Sequence, residues 1–109
     1  MPEKQTRYEF PIDVDLRIRV HLVIRGNRTV KCAVALEYQW SVDDWRRVVC
    51  LDNWGGRLHR DRYKPNGNLW THHEEFFSSD DVDLAVEWAQ NHLVEHAREY
   101  VRYFREIGD

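Results

Sequence analysis

The amino-acid sequence predicts an α+β fold: an antiparallel meander of four to five strands, flat or curled like a barrel, followed by one long C-terminal helix. Two observations carry this prediction. In the first part of the chain apolar and polar residues alternate with a period of two, which is typical of strands with one buried face. After residue 80 apolar residues recur every three or four positions, which is typical of a helix. At 109 residues, one domain covering 1–109 is expected.

Three strands are predicted before the middle of the chain. "LRIRVHLVIR" at 16–25 alternates cleanly, and a "GN" turn separates it from the alternating run "TVKCAVALEYQW" at 29–40. "WRRVVCLDN" at 45–53 indicates a third strand, with apolar residues on both faces. Because neighbouring strands are joined by short turns, we expect them to pair antiparallel in chain order.

A hairpin and a helix complete the prediction. The runs "RLHRDRYK" and "NLWTHHEEFF" flank "PNG" at 65–67, a strong short-range hairpin signal. The helix is expected from about Asp81 to about Glu106, packed on the inner face of the sheet. Its apolar positions are Ala85, Val86, Ala89, Leu93, Ala97, Tyr100, Val101 and Phe104.

Composition narrows the class of protein. Hydrophobic residues make up 42% and charged residues 32% of the chain, as in ordinary globular proteins. No apolar run approaches the roughly 20 residues of a membrane span, and the N-terminus does not read as a signal peptide. We therefore predict a cytoplasmic protein without membrane contact. In that compartment Cys32 and Cys50 are expected to be buried thiols.

Charge is unevenly distributed, although the net charge is only −3. Residues 45–64 hold six basic and two acidic side chains, a balance of +4, whereas residues 74–109 hold three basic and ten acidic ones, a balance of −7. This pattern argues against a general nucleic-acid coat protein. The basic segment can still bind a few phosphates, and the acidic helix would repel long duplexes.

A second subunit is also predicted. In a two-layer fold the sheet face away from the helix would carry Val23, Ala33 and Ala35. Apolar residues exposed at the centre of a sheet usually indicate another subunit or a closed barrel. We therefore expect a homodimer that uses this face.

The hairpin carries the candidate site. If its turn is centred on Asn66–Gly67, alternation sorts the side chains into two sets, unless a bulge mixes them. One set is His59, Asp61, Tyr63, Trp70, His72 and Glu74, and the other is Arg60, Arg62, Lys64, Thr71, His73 and Glu75. The first set offers imidazoles with carboxylates for acid–base chemistry, and the second offers guanidinium groups for phosphate. The alternative is a polar hairpin whose cross-strand pairs only keep a sheet edge hydrated.

Metal binding is not predicted. Two histidines with two carboxylates could hold zinc or manganese, but their spacing matches no closed metal motif. These four residues are His59, Asp61, His72 and Glu74. His92 and His96 lie four residues apart on the helix, where a polar helix edge explains them better than a chelate does. We expect no metal and no cofactor.

The run "DNWGGRLHRDRYKPNG", preceded by "WRRVVCL" and followed by a long helix, resembles a family of small uncharacterised prokaryotic proteins built as a strand meander plus a C-terminal helix. The positions that carry the resemblance are Trp45, Asp52, Gly55 or Gly56, His59, Arg60, Asp61, Pro65, Asn66 and Gly67. The resemblance implies a toxin module or an accessory protein of a CRISPR defence system, and hence RNA cleavage. Trp54 stands where the family pattern has a histidine before the glycine, so no mechanism is transferred to that loop.

Together these observations predict a metal-independent RNA phosphodiesterase (a ribonuclease) acting on mRNA or on a small cyclic oligoadenylate. A ribose 2′-hydroxyl would attack the adjacent phosphorus, with one histidine as base, another as acid, and arginines on the phosphoryl oxygens. The predicted catalytic residues are His59, Arg60, His72 and His73, and the predicted substrate-binding residues are Arg62, Tyr63, Lys64 and Trp70. The alternative is a non-enzymatic binding module (antitoxin, inhibitor or adaptor) that uses the same hairpin as a protein interface.

Overall fold

The computed structural model describes residues 2–54, 57–77 and 81–107, and for residues 71–73 and 75–77 it describes the backbone alone. The elements are β1 (Glu3–Asp13), β2 (Leu16–Arg25), β3 (Arg28–Ser41), β4 (Asp44–Asp52), β5 (Leu58–Tyr63), β6 (Leu69–Phe77) and α1 (Val82–Ile107). Every strand pairs antiparallel with the next one along the chain. This confirms the α+β meander with a C-terminal helix.

The described sheet has six strands, one more than the upper bound of the prediction, and it is open, with β1 and β6 at its edges. The additional strand is β1, "EKQTRYEFPID", in which most residues are exposed. Strand β1 is held mainly by its backbone ladder to β2, so its side chains need not alternate between apolar and polar. For this reason its sequence pattern did not predict it.

The face of the sheet under the helix forms the core. The register places Ile18 of β2 opposite Leu36 of β3, and Leu36 opposite Val49 of β4. All three side chains are fully buried. Since side chains alternate along each strand, residues at these register positions on β5 also face the helix, which brings Arg62 beside the core.

Helix α1 closes this core. The Asp81 carboxylate accepts a hydrogen bond from the Leu84 N–H at 3.2 Å and caps the first turn. The buried stripe of the helix is Ala85, Val86, Ala89, Leu93, Ala97, Tyr100, Val101 and Phe104, as predicted. Among the described residues, no helix combines the length and the apolar character needed to cross a lipid bilayer.

On the opposite face, which we call the open face, the apolar residues are less exposed than was expected. Val23 and Ala35 are only 4% and 2% exposed within one chain, and Ala33 is half-buried. Arginines on the neighbouring strands surround these small residues, since Arg19 pairs with Ala35 in the β2–β3 ladder. The aliphatic stems of long side chains cover small neighbours on a pleated surface. The apolar area that motivated a dimer interface here is therefore already covered.

Candidate functional site

The β5–β6 hairpin turns where the sequence predicts. Gly67 has a φ of 92°, in the left-handed region that favours glycine, and its N–H donates to the Lys64 carbonyl at 2.9 Å. The side-chain oxygen of Asn66 accepts from the Asn68 N–H at 2.9 Å. These contacts fix the loop that precedes β6.

A bulge changes the register predicted for this hairpin. Arg62 lies opposite Thr71 as expected, but Arg60 lies opposite Glu74, because the pairing shifts by one residue between Arg60 and Arg62. The expected partner of Arg60 was His73. The shift moves Glu74 out of the set that contains His59 and onto the face of Arg60.

A cleft of about 290 Å³ lies between this hairpin and α1. The residues that line it are Arg60, Arg62, His92, His96, Glu99, Tyr100 and Tyr103. We call it the helix cleft. Its two arginines come from β5 and its other residues come from consecutive turns of α1, so the cleft exists only once the helix has docked on the sheet.

Arg60 is held on two sides. One of its guanidinium nitrogens donates to Glu74 Oε2 at 2.5 Å, and another donates to the Tyr100 hydroxyl at 3.2 Å. Burial opposes the charged form, but the bonds to Tyr100 and Glu74 raise the pKa of Arg60 overall. Arg60 is therefore a fixed positive charge in the wall of the helix cleft.

Arg62 has a different environment. Its guanidinium carbon lies 4.4 Å from the ring centre of Trp70, 5.3 Å from that of Tyr100 and 5.5 Å from that of Tyr103. It makes no ion pair with any residue that the structure describes. Burial, and then the nearby charge of Arg60, lowers the pKa of Arg62. Such a cation, held by ring faces beside a second cation, attracts an anion.

His92 is the most perturbed titratable group of the cleft. Its ring stacks on Trp88, with ring centres 4.9 Å apart and planes inclined by 7°, and its Nε2 lies 2.7 Å from the Tyr100 hydroxyl. Burial, then the charges of His96 and Arg60, lowers its pKa to about 4. His92 is therefore neutral near pH 7. Because Tyr100 accepts from Arg60, we assign its own proton to the bond with Nε2 of His92.

His96 lies next to His92, with ring centres 4.6 Å apart. Its Nδ1 lies 3.1 Å from Glu99 Oε2, and its side chain is 40% exposed. A carboxylate on Nδ1 orients the ring and leaves Nε2 as the atom that takes up or releases a proton. This arrangement suits an imidazole that exchanges protons with a bound ligand.

The structure brings some of the predicted site residues together and separates others. Arg60, Arg62 and Trp70 meet at the helix cleft, so Trp70 is not grouped with His59 and Tyr63 as the regular register implied. His59 lies on the open face, where it pairs with Asp52 across the β4–β5 ladder. Tyr63 shares that face, with the Arg47 guanidinium 6.0 Å from its ring centre.

Of the other predicted site residues, one lies outside the helix cleft and two have side chains that the structure does not describe. Lys64 ends the hairpin strand and lines a shallow groove with Trp45 and Asn66, outside the helix cleft. The side chains of His72 and His73 are not among those the structure describes, although β6 carries both residues. The four candidate metal ligands are divided between the two faces, because Glu74 binds Arg60 on the helix side of the sheet whereas His59 lies on the open face.

Sequence reasoning missed the contribution of the helix. His92, His96 and Tyr100 were read as parts of a helix edge and an apolar stripe, yet they form one wall of the cleft. Their spacing of four residues was the available signal, because it places all three on one side of a helix. What the spacing does not reveal is the strand that this side faces.

Fold and site together define an open antiparallel sheet covered by one helix, with a cationic, aromatic-lined cleft between them. The chain belongs to the family described as Domain of unknown function (DUF7718), which matches residues 1–108. No curated protein and no solved structure matches the chain.

Proposed function

We propose that this protein is a cytoplasmic, metal-independent RNA phosphodiesterase whose active site is the helix cleft. The observation that supports this most is the meeting of Arg60 and Arg62 with His92 and His96 in one cleft. RNA cleavage by its own 2′-hydroxyl needs these two kinds of group: cations for the phosphoryl oxygens and imidazoles for the protons.

In this proposal the arginines hold the scissile phosphate. Arg60 is fixed by Glu74 and Tyr100, whereas Arg62 has no carboxylate partner among the described residues and would take the larger share of the phosphate charge. As the 2′-oxygen attacks phosphorus, negative charge grows on the nonbridging oxygens, and guanidinium donors stabilise it. Trp70 and Tyr103, on either side of Arg62, would stack a neighbouring base.

The histidines would move the protons. His92, neutral near pH 7, is assigned as the base. Because its Nε2 accepts from Tyr100, the 2′-hydroxyl would give its proton to the Tyr100 oxygen as Tyr100 passes its own proton to Nε2. A bound phosphate anion would strengthen His92 as a base by offsetting the charge of Arg60. His96, oriented by Glu99, is assigned as the acid that protonates the leaving 5′-oxygen. The products would be a 2′,3′-cyclic phosphate and a 5′-hydroxyl.

The substrate is proposed to be mRNA or a small cyclic oligoadenylate, in a prokaryotic toxin or CRISPR-defence setting. The acidic balance of residues 74–109 favours the small ring, since a long polyanion would be repelled along α1. A homodimer is proposed with it, because two copies would present two helix clefts to a symmetric ligand. Light scattering at high micromolar concentration should then give twice the monomer mass of 13.2 kDa. A particle of monomer mass would contradict the dimer.

Cleavage of end-labelled RNA and of cyclic oligoadenylates tests the proposal. We expect cleavage that persists in EDTA and leaves a cyclic phosphate end, and His96→Ala should slow it by roughly 10²–10⁴-fold. His59→Ala is the matched control, because His59 lies on the opposite face of the sheet from Arg60. His72→Ala and His73→Ala belong in the same series, since β6 carries both residues beside the hairpin turn.

The outcomes separate the proposed function from its alternatives. Loss of activity in His59→Ala with full activity in His96→Ala would move the chemistry to the open face. No cleavage of either substrate between about pH 5 and 9 would favour the second candidate, a binding module. For that candidate the supporting observation is the set of aromatic and arginine side chains around Trp70 and Tyr103, which are common at protein interfaces.

A further inference from the structure

A second depression, of about 490 Å³, lies on the open face of the sheet, on the other side from the helix cleft. Its lining residues include Arg7, Arg19, Arg47, His21, Ala33 and Ala35. The three arginines come from β1, β2 and β4, and the two alanines come from β3 between them. Small side chains in the middle and long ones around them create the space. We call it the open-face depression.

The carboxylates beside this depression do not balance its arginines. Glu37 is buried and lies 2.7 Å from Arg17 and 3.9 Å from Arg19. Glu9 is shared by the same two arginines, at 3.8 and 3.4 Å. Both carboxylates thus lie closest to Arg17 and Arg19, and Glu9 is the one carboxylate among the residues that line the depression.

Neither Arg7 nor Arg47 makes an ion pair with a residue the structure describes, although Arg47 stands opposite Glu37 in the β3–β4 ladder. A guanidinium nitrogen of Arg7 donates to the side-chain oxygen of Gln5 at 3.2 Å, and His21 Nε2 lies 3.0 Å from the same oxygen. Burial, and then the charge of Arg7, lowers the pKa of His21. The lining of the depression therefore holds three guanidinium groups and one carboxylate, an excess of two positive charges, beside the imidazole of His21.

Like charges gathered on neighbouring strands destabilise a sheet, and an anion between them removes that cost. We propose that the open-face depression binds a small organic phosphate whose single phosphate group carries two negative charges. The excess of two positive charges in the lining matches that charge, and guanidinium donors fit phosphate oxygens. The volume lies within the range of small-molecule sites, roughly 300–1,000 Å³. The site is independent of the helix cleft, because the sheet separates them.

Calorimetric titration with AMP tests this assignment, with adenosine as the uncharged counterpart. The titrations use an Arg62→Gln background so that the helix cleft does not contribute. We expect AMP to bind and adenosine not to bind, and Arg7→Gln and Arg47→Gln each to weaken AMP binding by about tenfold. Arg25→Gln is the matched control, since it removes one positive charge from the same sheet, where Arg25 pairs with Glu3. It should leave the affinity unchanged.

A second measurement begins with the unaltered protein. In nitrogen–proton spectra of the unaltered protein, AMP should shift the backbone amides of Ala33 and Ala35. Ala33→Leu should remove these shifts by filling the centre of the depression. Equal binding of adenosine, equal effects of Arg25→Gln and Arg47→Gln, or shifts confined to β5 and α1 would each overturn the proposal. So would equally tight binding of an oligonucleotide that lacks a terminal phosphate, because its charges lie singly on separate groups.

Discussion

Tyr100 and His92 are joined by a 2.7 Å hydrogen bond that spans two turns of α1. The bond lies under Arg60, which donates to the same tyrosine hydroxyl at 3.2 Å. Docking of the helix on the sheet thus supplies the charge of Arg60, which adds to burial and to the charge of His96 in keeping His92 neutral. This coupling gives a test of the cleft that needs no substrate.

His92→Gln should reduce the sensitivity of the fold to acid. The pKa of His92 is about 4 in the folded protein, whereas an unfolded histidine titrates near about 6.5. Between these values the unfolded chain binds more protons than the folded protein does. The contribution of His92 to the free energy of unfolding is therefore fully present above about pH 6.5 and is lost as the pH is lowered towards 4. Because His92 is only partly buried, we expect the free energy of unfolding to fall by about 1–3 kcal/mol over this pH range.

Urea denaturation at about pH 7 and about pH 4.5 measures this difference. His92→Gln should lose less stability between the two conditions than the unaltered protein does. His59→Gln, on the other face of the sheet, should retain the full acid sensitivity. A His92→Gln protein with an unchanged pH dependence would contradict the proposed cause.

Leu93→Ala should destabilise the protein by about 2–5 kcal/mol, because it leaves a cavity where helix and sheet meet. Leu93 is 0% exposed, whereas its neighbour Val94 is 46% exposed and makes a matched control. Val94→Ala should cost less than about 0.5 kcal/mol. Thermal or urea unfolding followed by circular dichroism measures both. Equal losses in the two variants would refute the packing described for α1.

Arg62→Lys should weaken phosphate binding in the helix cleft although it keeps the charge. A lysine ammonium has neither the planar face that lies over Trp70 nor the paired donors that match phosphate oxygens. We expect a roughly tenfold loss in the rate of RNA cleavage at subsaturating substrate. Arg102→Lys, on an exposed position of α1, is the control and should behave as the unaltered protein does. Full activity in Arg62→Lys would reduce the role of Arg62 to that of a point charge.

Gly67→Ala should destabilise the hairpin by about 1 kcal/mol through backbone strain alone. The φ of Gly67 is 92°, and a Cβ built at this position meets nothing within 4 Å. Gly67→Asn should cost less, because asparagine tolerates left-handed conformations better than alanine does. Unfolding free energies of the two variants compare them directly. A greater loss for asparagine than for alanine would show that the strain argument is wrong.

The fold was largely predictable because alternation and helical spacing are local properties of the chain. The limits of α1 agree with the prediction to one residue at each end. The site was less predictable because it depends on relations between elements. Glu74 reaches Arg60 only through a bulge. The alanines of β3 are covered by arginines of neighbouring strands, and alternation alone does not predict how far such side chains reach.

The histidines show the same limit more clearly. His92 and His96 have a spacing that any solvated helix edge can have. Their chemistry comes from the rings and charges that surround them, notably Trp88 and Arg60. A search for titratable pairs on the predicted helix, combined with the basic strand that must lie under it, would have found the cleft.

The meander also has a consequence for how the protein is made. Each strand pairs with its neighbour in the chain, so the sheet can form from contacts of short range, which generally fold fast. The helix that covers the apolar face follows all of these strands in the chain. During synthesis the sheet therefore leaves the ribosome before its cover, with an apolar surface exposed for the time that α1 takes to emerge. We expect the apolar face to be most open to aggregation during that interval.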